Sequence, residues 1–353
     1  MKHFFVVNPI SFKQASDLDR IVADIRGHFS GREQDLSVHV SRFPRDAIAA
    51  IRAFASTASS DSGFRVYAVG GDGILFDCLN GIIGLPGAEL GAVPYGNSND
   101  FIRAFGEGLN GSFRDIAAQI DGVPILCDVI YAGNNYALNT CTIGLESYAI
   151  HKSTELHKQY RTLLDVLPRK ISSFLYGFLY FVGGVLSINN KTLINQHYRI
   201  SVDGNDYSGN YAIINIANGP CYGGDKNAAV SARPDDGRLD VLLFKSTSIF
   251  SFISKGFDYL YGKYHKYPEL ISYLKAKEIT VRSDLPLMLQ LDGEVFIDTN
   301  LTVKIVQNAV KFISVGGLPF RQRDTPGHGR IHAARDAGAG GSIPEGQNWK
   351  IAP

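Results

Sequence analysis

Short apolar runs alternate with amphipathic stretches through the first third of the chain. His3–Val7 is a β-branched and aromatic run that stops at Asn8-Pro9, as a buried strand does. From Asp17 to Phe29 the apolar residues Leu18, Ile21, Val22, Ile25 and Phe29 recur at helical spacing. Leu36–Val40 reads as a strand, and Asp46–Ala55 as a helix with Ile48, Ile51 and Ala55 on one face. Phe64–Val69 is a strand that runs straight into Gly70-Gly71-Asp72-Gly73, followed by an apolar helix to Ile83. Leu90–Val93 is another strand, then come Pro94, a polar turn and a helix over Phe101–Phe105. Strands alternating with helices predict an α/β layer with a mostly parallel sheet.

The pattern changes after about Asp128. Val129–Ala132, Asn135–Ile143, His197–Val202, Asn210–Ala217, Leu239–Phe244, Glu278–Arg282, Leu287–Leu291 and Leu301–Gln307 read as strands. Turn pairs such as Asp203-Gly204, Asp236-Gly237 and Asp292-Gly293 join many of them, which predicts an antiparallel β-rich domain. Helical stretches interrupt it at about Thr154–Leu186 and Ile249–Tyr261. The tail from Pro319 to Pro353 is rich in Gly, Pro and Arg without apolar periodicity, and is expected to be disordered.

Composition adds little and excludes some classes. A chain of 353 residues suggests two domains, and 45% hydrophobic with 20% charged residues supports a sizeable core. The net charge of +1 supplies no electrostatic argument for nucleic acid or an anionic membrane. Cys78, Cys127, Cys141 and Cys221 form no C-x-x-C pair and are expected to be reduced thiols. The apolar run at the N-terminus is too short for a signal peptide. The longest apolar stretch, Phe174–Ile188, is interrupted by glycines and falls short of the roughly 20 residues a spanning helix needs. A soluble, cytoplasmic protein is expected.

Three segments carry candidate chemistry. A strand–Gly-Gly-Asp-Gly–helix passage turns tightly and presents helix N-terminal amides to an anion. Asp72 repels phosphate directly and would act through Mg²⁺ or by ordering the loop. The second segment, Pro94-Tyr95-Gly96-Asn97-Ser98-Asn99-Asp100-Phe101, also follows a strand; alone, helix capping explains it. Two such turns at the carboxyl ends of adjacent strands would flank one crevice. The third is Leu291-Asp292-Gly293-Glu294. Carboxylates at i and i+2 of an extended chain share a face, so one could contact metal while the other takes a proton. Asp-Gly turns are common, and this segment alone is weak.

In order, Asn8-Pro9, Gly-Gly-Asp-Gly, Pro-x-Gly-x-x-Asn-Asp-Phe and Asp-Gly-Glu resemble the diacylglycerol kinase catalytic-domain family, over roughly residues 3–317. That resemblance implies a three-layer α/β nucleotide domain, like those of NAD kinases and phosphofructokinases, and an antiparallel β-rich domain. Residues 1–128 with about 308–318 would form the first, 129–307 the second, with the active site in the cleft and 319–353 as tail. It further implies a nucleotide site at Asn8, Ser41, Gly70, Gly71, Asp72, Gly73 and Asn97, with Asn99 and Asp100 in the same turn. Glu294 matches the proton acceptor and Asp292 its partner, with Asp72 as the third catalytic acid. Arg233–Arg238 resembles a structural Mg²⁺ loop, with the Asp236 carboxylate and the Arg238 carbonyl as ligands. The implied reaction is γ-phosphoryl transfer from ATP, with Mg²⁺, to a hydroxyl of diacylglycerol or a related lipid. Phe174–Ile188 would take acyl chains or pack as core. A transient membrane contact and a homodimer are open, and nucleic acid is not expected.

This chain departs from the family pattern. Ile74 stands for the usual Thr, Phe76 for Asn, Asp77 for Glu, Asn97 for Thr and Phe12 for Gly. Two other readings stay open: a small-molecule kinase such as an NAD kinase, and a non-catalytic nucleotide or lipid sensor.

Overall fold

The computed structural model describes residues 1–321 apart from 13, 58–62, 153–154, 156–195 and 225. Strands β1 (Lys2–Val7), β2 (Leu36–Val40), β3 (Phe64–Gly70) and β4 (Ala88–Pro94) pair in parallel in the order β2-β1-β3-β4. A parallel sheet is covered on both faces, so its strands carry apolar runs rather than alternation. Phe4 and Val6 of β1 enter one core with Ala47, Ile51, Cys78 and Leu79 from α2 (Asp46–Thr57) and α3 (Asp72–Ile82). Phe5 and Val7 enter a second with Ile21 and Ile25 of α1 (Ala15–Gly27). These are the three layers. The short helices α4 (Asn110–Arg114) and α5 (Ile116–Ile120) follow β4.

The rest is strand-rich. After β5 (Val123–Ala132), β6 (Asn135–Ala137) and β7 (Thr140–Gly144), helix α6 is described over residues 145–152. Next come β8 (His197–Val202), β9 (Asn205–Asp206), β10 (Gly209–Ala217), β11 (Leu239–Lys245) and helix α7 (Ile249–Leu260). Strands β12 (Ile271–Ala276), β13 (Glu278–Leu291) and β14 (Glu294–Ser314) complete the described elements. The order β12-β11-β10-β7-β13-β14 is antiparallel throughout. Strand β14 joins the halves. It leaves a hairpin with β13, shifts register against β5 beside Asn308 (φ +52°), and ends parallel to β4 at Lys311 and Phe312.

Helix α3 is the second tie. Ile74, Leu75, Cys78 and Leu79 face the first core, whereas Phe76 enters the core of the strand-rich half with Ile130, Ile279 and Leu289. The Asn80 amide clamps the Tyr136 backbone in both directions, at 2.9 Å each.

Several local expectations change. The Phe101–Phe105 helix is a 3₁₀ turn, Phe101–Ala104, closed by Gly106 at φ +149°. The strands at 278–282 and 287–291 are one strand, β13, with an irregularity between Arg282 and Leu287. The strand expected over Asn135–Ile143 divides into β6 and β7, because the amides of Leu138, Asn139 and Thr140 go to the Asp292 carboxylate. Strand β5 starts at Val123, where exposed Val123 and Leu126 hide the pattern, and β12 was not anticipated. Nearly all of the helix expected at about Thr154–Leu186, the whole of Phe174–Ile188 and nearly all of the tail lie outside the described residues. Among the described residues no helix is long and apolar enough to cross a membrane.

Buried Asp128 on β5 locks the return path of β14. Its oxygens accept the Gly237 amide at 2.7 Å and the Asn308 amide at 2.8 Å. Asp128→Ala strands both donors and is expected to destabilise the fold by roughly 2–4 kcal/mol. Urea unfolding measures this; a loss near zero would show that water replaces the carboxylate.

Candidate active site

The phosphate-type loops meet where β3 and β4 end. Gly70 and Pro94 are paired neighbours, and the Gly70 carbonyl accepts the Tyr95 and Gly96 amides at 2.7 and 3.1 Å. A Cβ on Gly71 would lie 3.0 Å from the Gly96 Cα, so the two loops touch backbone to backbone. The Asp72 carboxylate accepts the Asp100 amide at 2.8 Å. Asn99 takes φ +50°, a conformation Asn tolerates, and donates to the Gly96 carbonyl at 2.8 Å. Its Oδ1 is buried without a hydrogen-bond partner. Asn97 is exposed at the tip. Asn8 joins the same rim: its amide donates to the Val69 carbonyl at 2.9 Å, and its Cβ packs against Gly70. The Ser41 amide donates to the Val7 carbonyl at 2.9 Å, at the end of β2.

Across the cleft stands the β13–β14 hairpin. Leu291 pairs with Glu294, leaving Asp292 and Gly293 as a two-residue turn at φ +46° and +94°. Asp292 is therefore in a turn rather than on an extended chain, and the expected i, i+2 alignment does not apply. Its oxygens accept the amides of Leu138 (2.7 Å), Asn139 (3.0 Å) and Thr140 (2.8 Å), which fixes the hairpin. Glu294 faces the loop: its Oε1 lies 3.4 Å from where a Gly73 Cβ would be.

Arg45, just ahead of α2, was not anticipated. It holds φ +69°, a left-handed conformation that costs a non-glycine residue about 1–2 kcal/mol. Asp77 secures it: one oxygen accepts the Arg45 amide at 3.0 Å and the other lies 3.2 Å from Nη1. The guanidinium lies over the Phe76 ring at 4.5 Å and near Phe296 at 5.7 Å. Its Nη2 is 3.8 Å from Glu294 Oε2. No spacing rule links residue 45 to residues 77 and 294, so the sequence holds no signal for this cluster.

The cleft is crowded with acids. Removal from water, aided by the charges of Asp100 and Asp292, pushes Asp72 up to about 8. Burial pushes Asp292 up to about 6 against the pull of its three amides. Burial also raises Asp100, whose Oδ1 accepts the Gly224 amide at 2.8 Å from the strand-rich half. Glu146, buried at the start of α6, is pushed to about 7 by burial, with Tyr222 and Lys226 acting against the rise. Glu146 also escaped notice, since one acid after a strand carries no signal.

Among the described residues no three His, Cys, Asp or Glu side chains converge as a metal cage. Mg²⁺ in phosphoryl-transfer sites rests on one or two carboxylates plus phosphate oxygens. The Asp72 carboxyl at the start of α3 and the orphaned Asn99 Oδ1 beside the same turn fit that demand. The expected structural Mg²⁺ loop fits poorly. The Asp236 carboxylate accepts the Arg238 amide at 3.0 Å, and the Lys275 ammonium occupies its other oxygen at 2.7 Å. A metal there would have to displace Lys275.

A three-layer α/β domain and an antiparallel sandwich, meeting at a Gly-Gly-Asp-Gly loop and an opposed carboxylate, define the class of two-domain kinases. Residues 2–131 match the diacylglycerol kinase catalytic domain, and residues 172–314 match the YegS C-terminal NAD kinase beta sandwich-like domain. The chain is 28% identical over 265 residues to a Staphylococcus aureus (strain JH9) protein named "Putative lipid kinase SaurJH9_0749", covering 72% of this chain and 78% of that one. It shares its fold with a diacylglycerol kinase structure from Bacillus anthracis str. Sterne, at TM-score 0.62 and 22% identity, over 88% of this chain and 96% of that one. A second structure from that strain gives TM-score 0.65 at 24% identity, with the same coverage. Residues 2–131 thus belong to the diacylglycerol kinase catalytic-domain family, and residues 172–314 to the YegS C-terminal domain family.

A carboxyl raised to about 8 in the fold, against 3.8 ordinarily, stays protonated while the unfolded chain ionises. Its contribution to stability is therefore lost as pH climbs from about 4 to about 8. Asn cannot titrate, so the melting-temperature advantage of Asp72→Asn should grow across that window and then level. Scanning fluorimetry at about pH 5 and about pH 8.5 reads this; a pH-independent difference would contradict it.

Proposed function

We propose that this protein transfers the γ-phosphoryl group of ATP to a hydroxyl of diacylglycerol or a related lipid. The observation that carries this reading is the approach of Glu294 Oε1 to the Gly73 loop, 3.4 Å from a Cβ position there. An acid that near a helix N-terminus is suited to act on a nucleophile approaching a bound phosphate.

The first-turn amides of α3 would donate to phosphate oxygens, and bare Gly71 and Gly96 admit these to the backbone. Asn8, Ser41 and Asn97 line the nucleotide rim, while Asn99 and Asp100 hold the second turn in place. Asp72 would hold Mg²⁺, which when bound neutralises phosphate charge. In the transfer, the acceptor oxygen bonds to the γ-phosphorus, the bond to the ADP oxygen breaks, and the acceptor proton passes to Glu294. Such general-base assistance contributes on the order of 10²–10⁴-fold. Positioning accounts for most of the rest. Asp292 acts at one remove, by fixing the hairpin that delivers Glu294.

A lipid acceptor is supported by α7. Phe250 (87% exposed), Ile253, Phe257 (64%) and Tyr261 form one outward apolar stripe on a helix whose other side packs through Tyr259. Lys255 lies over the Tyr267 ring at 5.3 Å, and Lys263 and Lys266 lie 3.8 and 3.0 Å from Asp258. An outward apolar stripe on one helix face suits a bilayer interface, so a cytoplasmic protein in transient membrane contact is the fitting picture. Replacing Phe250 and Phe257 by Ser should lower activity on vesicle-borne lipid about tenfold and spare a soluble short-chain acceptor. Equal activity on both would remove the stripe from this role, and a changed oligomeric state would reassign it to a homodimer.

The C-terminal match to an NAD kinase-like sandwich keeps NAD in view as an acceptor. A transfer screen with labelled ATP over lipids and NAD separates these. Glu294→Gln is expected to lose 10²–10⁴-fold in turnover while still binding nucleotide. Label only in NAD would overturn the lipid assignment; nucleotide-dependent thermal stabilisation without transfer to any acceptor would mark a sensor.

A further inference from the structure

We propose that Arg45, clamped beside Phe76 and Phe296, is a positioning residue that orients the Glu294 carboxylate toward the Gly73 loop. This rests on the reading in which Glu294 takes the acceptor's proton.

The two oxygens of Glu294 already have separate surroundings. Oε2 lies toward Arg45 Nη2 at 3.8 Å, and Oε1 lies toward the Gly73 loop. The arginine is not a casual surface neighbour. Its side chain is 24% exposed, and its backbone stays left-handed because Asp77 grips both its amide and its guanidinium. Strain of this kind persists where the surroundings over-determine it, and it marks functional positions. Phe76 is buried in the strand-rich core and supplies a flat wall for the cation, with Phe296 beside it. Phe76 and Asp77, adjacent on α3, and Glu294 and Phe296, on β14, converge on this one side chain.

Electrostatics give the arrangement its purpose. The cleft holds further acids, Asp72 and Asp77 on α3, Asp100, and Asp292 in the turn before Glu294. A carboxyl accepts a proton only in its ionised form, and a fixed cation nearby favours that form. Arg45 stands 3.8 Å away and cannot itself lose its charge. The planar guanidinium also stacks, which an ammonium does not reproduce.

The test compares Arg45→Met, Arg45→Lys and Phe296→Leu with the native chain. Arg45→Met should move the acid limb of kcat/KM up by about one pH unit and lower neutral-pH kcat about tenfold, with KM for ATP changed less than about twofold. Arg45→Lys should recover part of both effects. Phe296→Leu should give a smaller shift of the same sign, and it serves if Arg45→Met does not fold. In parallel, ¹³C NMR of labelled glutamate carboxyls follows the Glu294 midpoint, assigned by its absence in Glu294→Gln. That midpoint should rise in Arg45→Met. An unchanged acid limb and midpoint would overturn the proposal. If the native chain phosphorylates no acceptor, the functional reading falls, while the NMR midpoint still decides the role of Arg45.

Discussion

Backbone amides donated to carboxylates hold this molecule's working parts in register. Asp292 takes three amides at the β6–β7 break, Asp128 takes one from Asn308 of β14 and one from Gly237, and Asp72 takes one from Asp100. Asp100 in turn takes the Gly224 amide from the opposite half. Such hydrogen bonds contribute on the order of 1 kcal/mol each, and leaving the buried donors unpaired costs more. They also fix direction, which apolar packing between the halves cannot do to within a fraction of an ångström. The cleft is defined by these contacts, and the cores on either side give them something rigid to connect.

The same solution concentrates acids. Burial raises Asp72, Asp100 and Asp292 above the ordinary carboxylate range, and for Asp72 the neighbouring acids add to the rise. A cation entering the cleft would favour their ionised forms. The acids on the phosphate side and the Arg45–Glu294 pair on the acceptor side thus divide the cleft electrostatically. One side awaits positive charge, and the other already holds it.

The alternating strands and helices of the first domain were legible because a parallel sheet buried on both faces leaves continuous apolar runs, as β3 does over Phe64–Gly70. The paired glycine turns were legible because tight backbone approach restricts residue choice, as between Gly71 and Gly96. Local patterns end there. Asp292 looked like a second catalytic acid because an i, i+2 rule presumes an extended chain, and the two-residue turn cancels it. Arg45 was invisible because its partners are separated by the whole fold. Asp236 looked like a metal ligand in a turn, and Lys275, from a strand the sequence did not announce, decides its partner.

The departures at Ile74, Phe76 and Phe12 bear on whether the site still works, and the structure places each in packing. Ile74 is 3% exposed in the first core, with its Cγ2 directed at Gly70, so it braces the loop from behind. Phe12 packs on Tyr95 at 5.0 Å, and Arg114 lies over the same Tyr95 ring at 5.0 Å, stiffening the second turn. Phe76 ties α3 to the strand-rich half and walls in Arg45. Hydroxyls and an amide have been exchanged for apolar bracing, while the backbone amides that would face phosphate remain. A cradle made of main chain is insensitive to side-chain identity so long as the chain path is kept. The glycines that set that path, Gly70, Gly71, Gly73 and Gly96, are all present. Beside Glu294, Phe76 walls in Arg45 rather than leaving a gap. The physical expectation is a phosphate side held by main-chain geometry, which these three changes do not disturb.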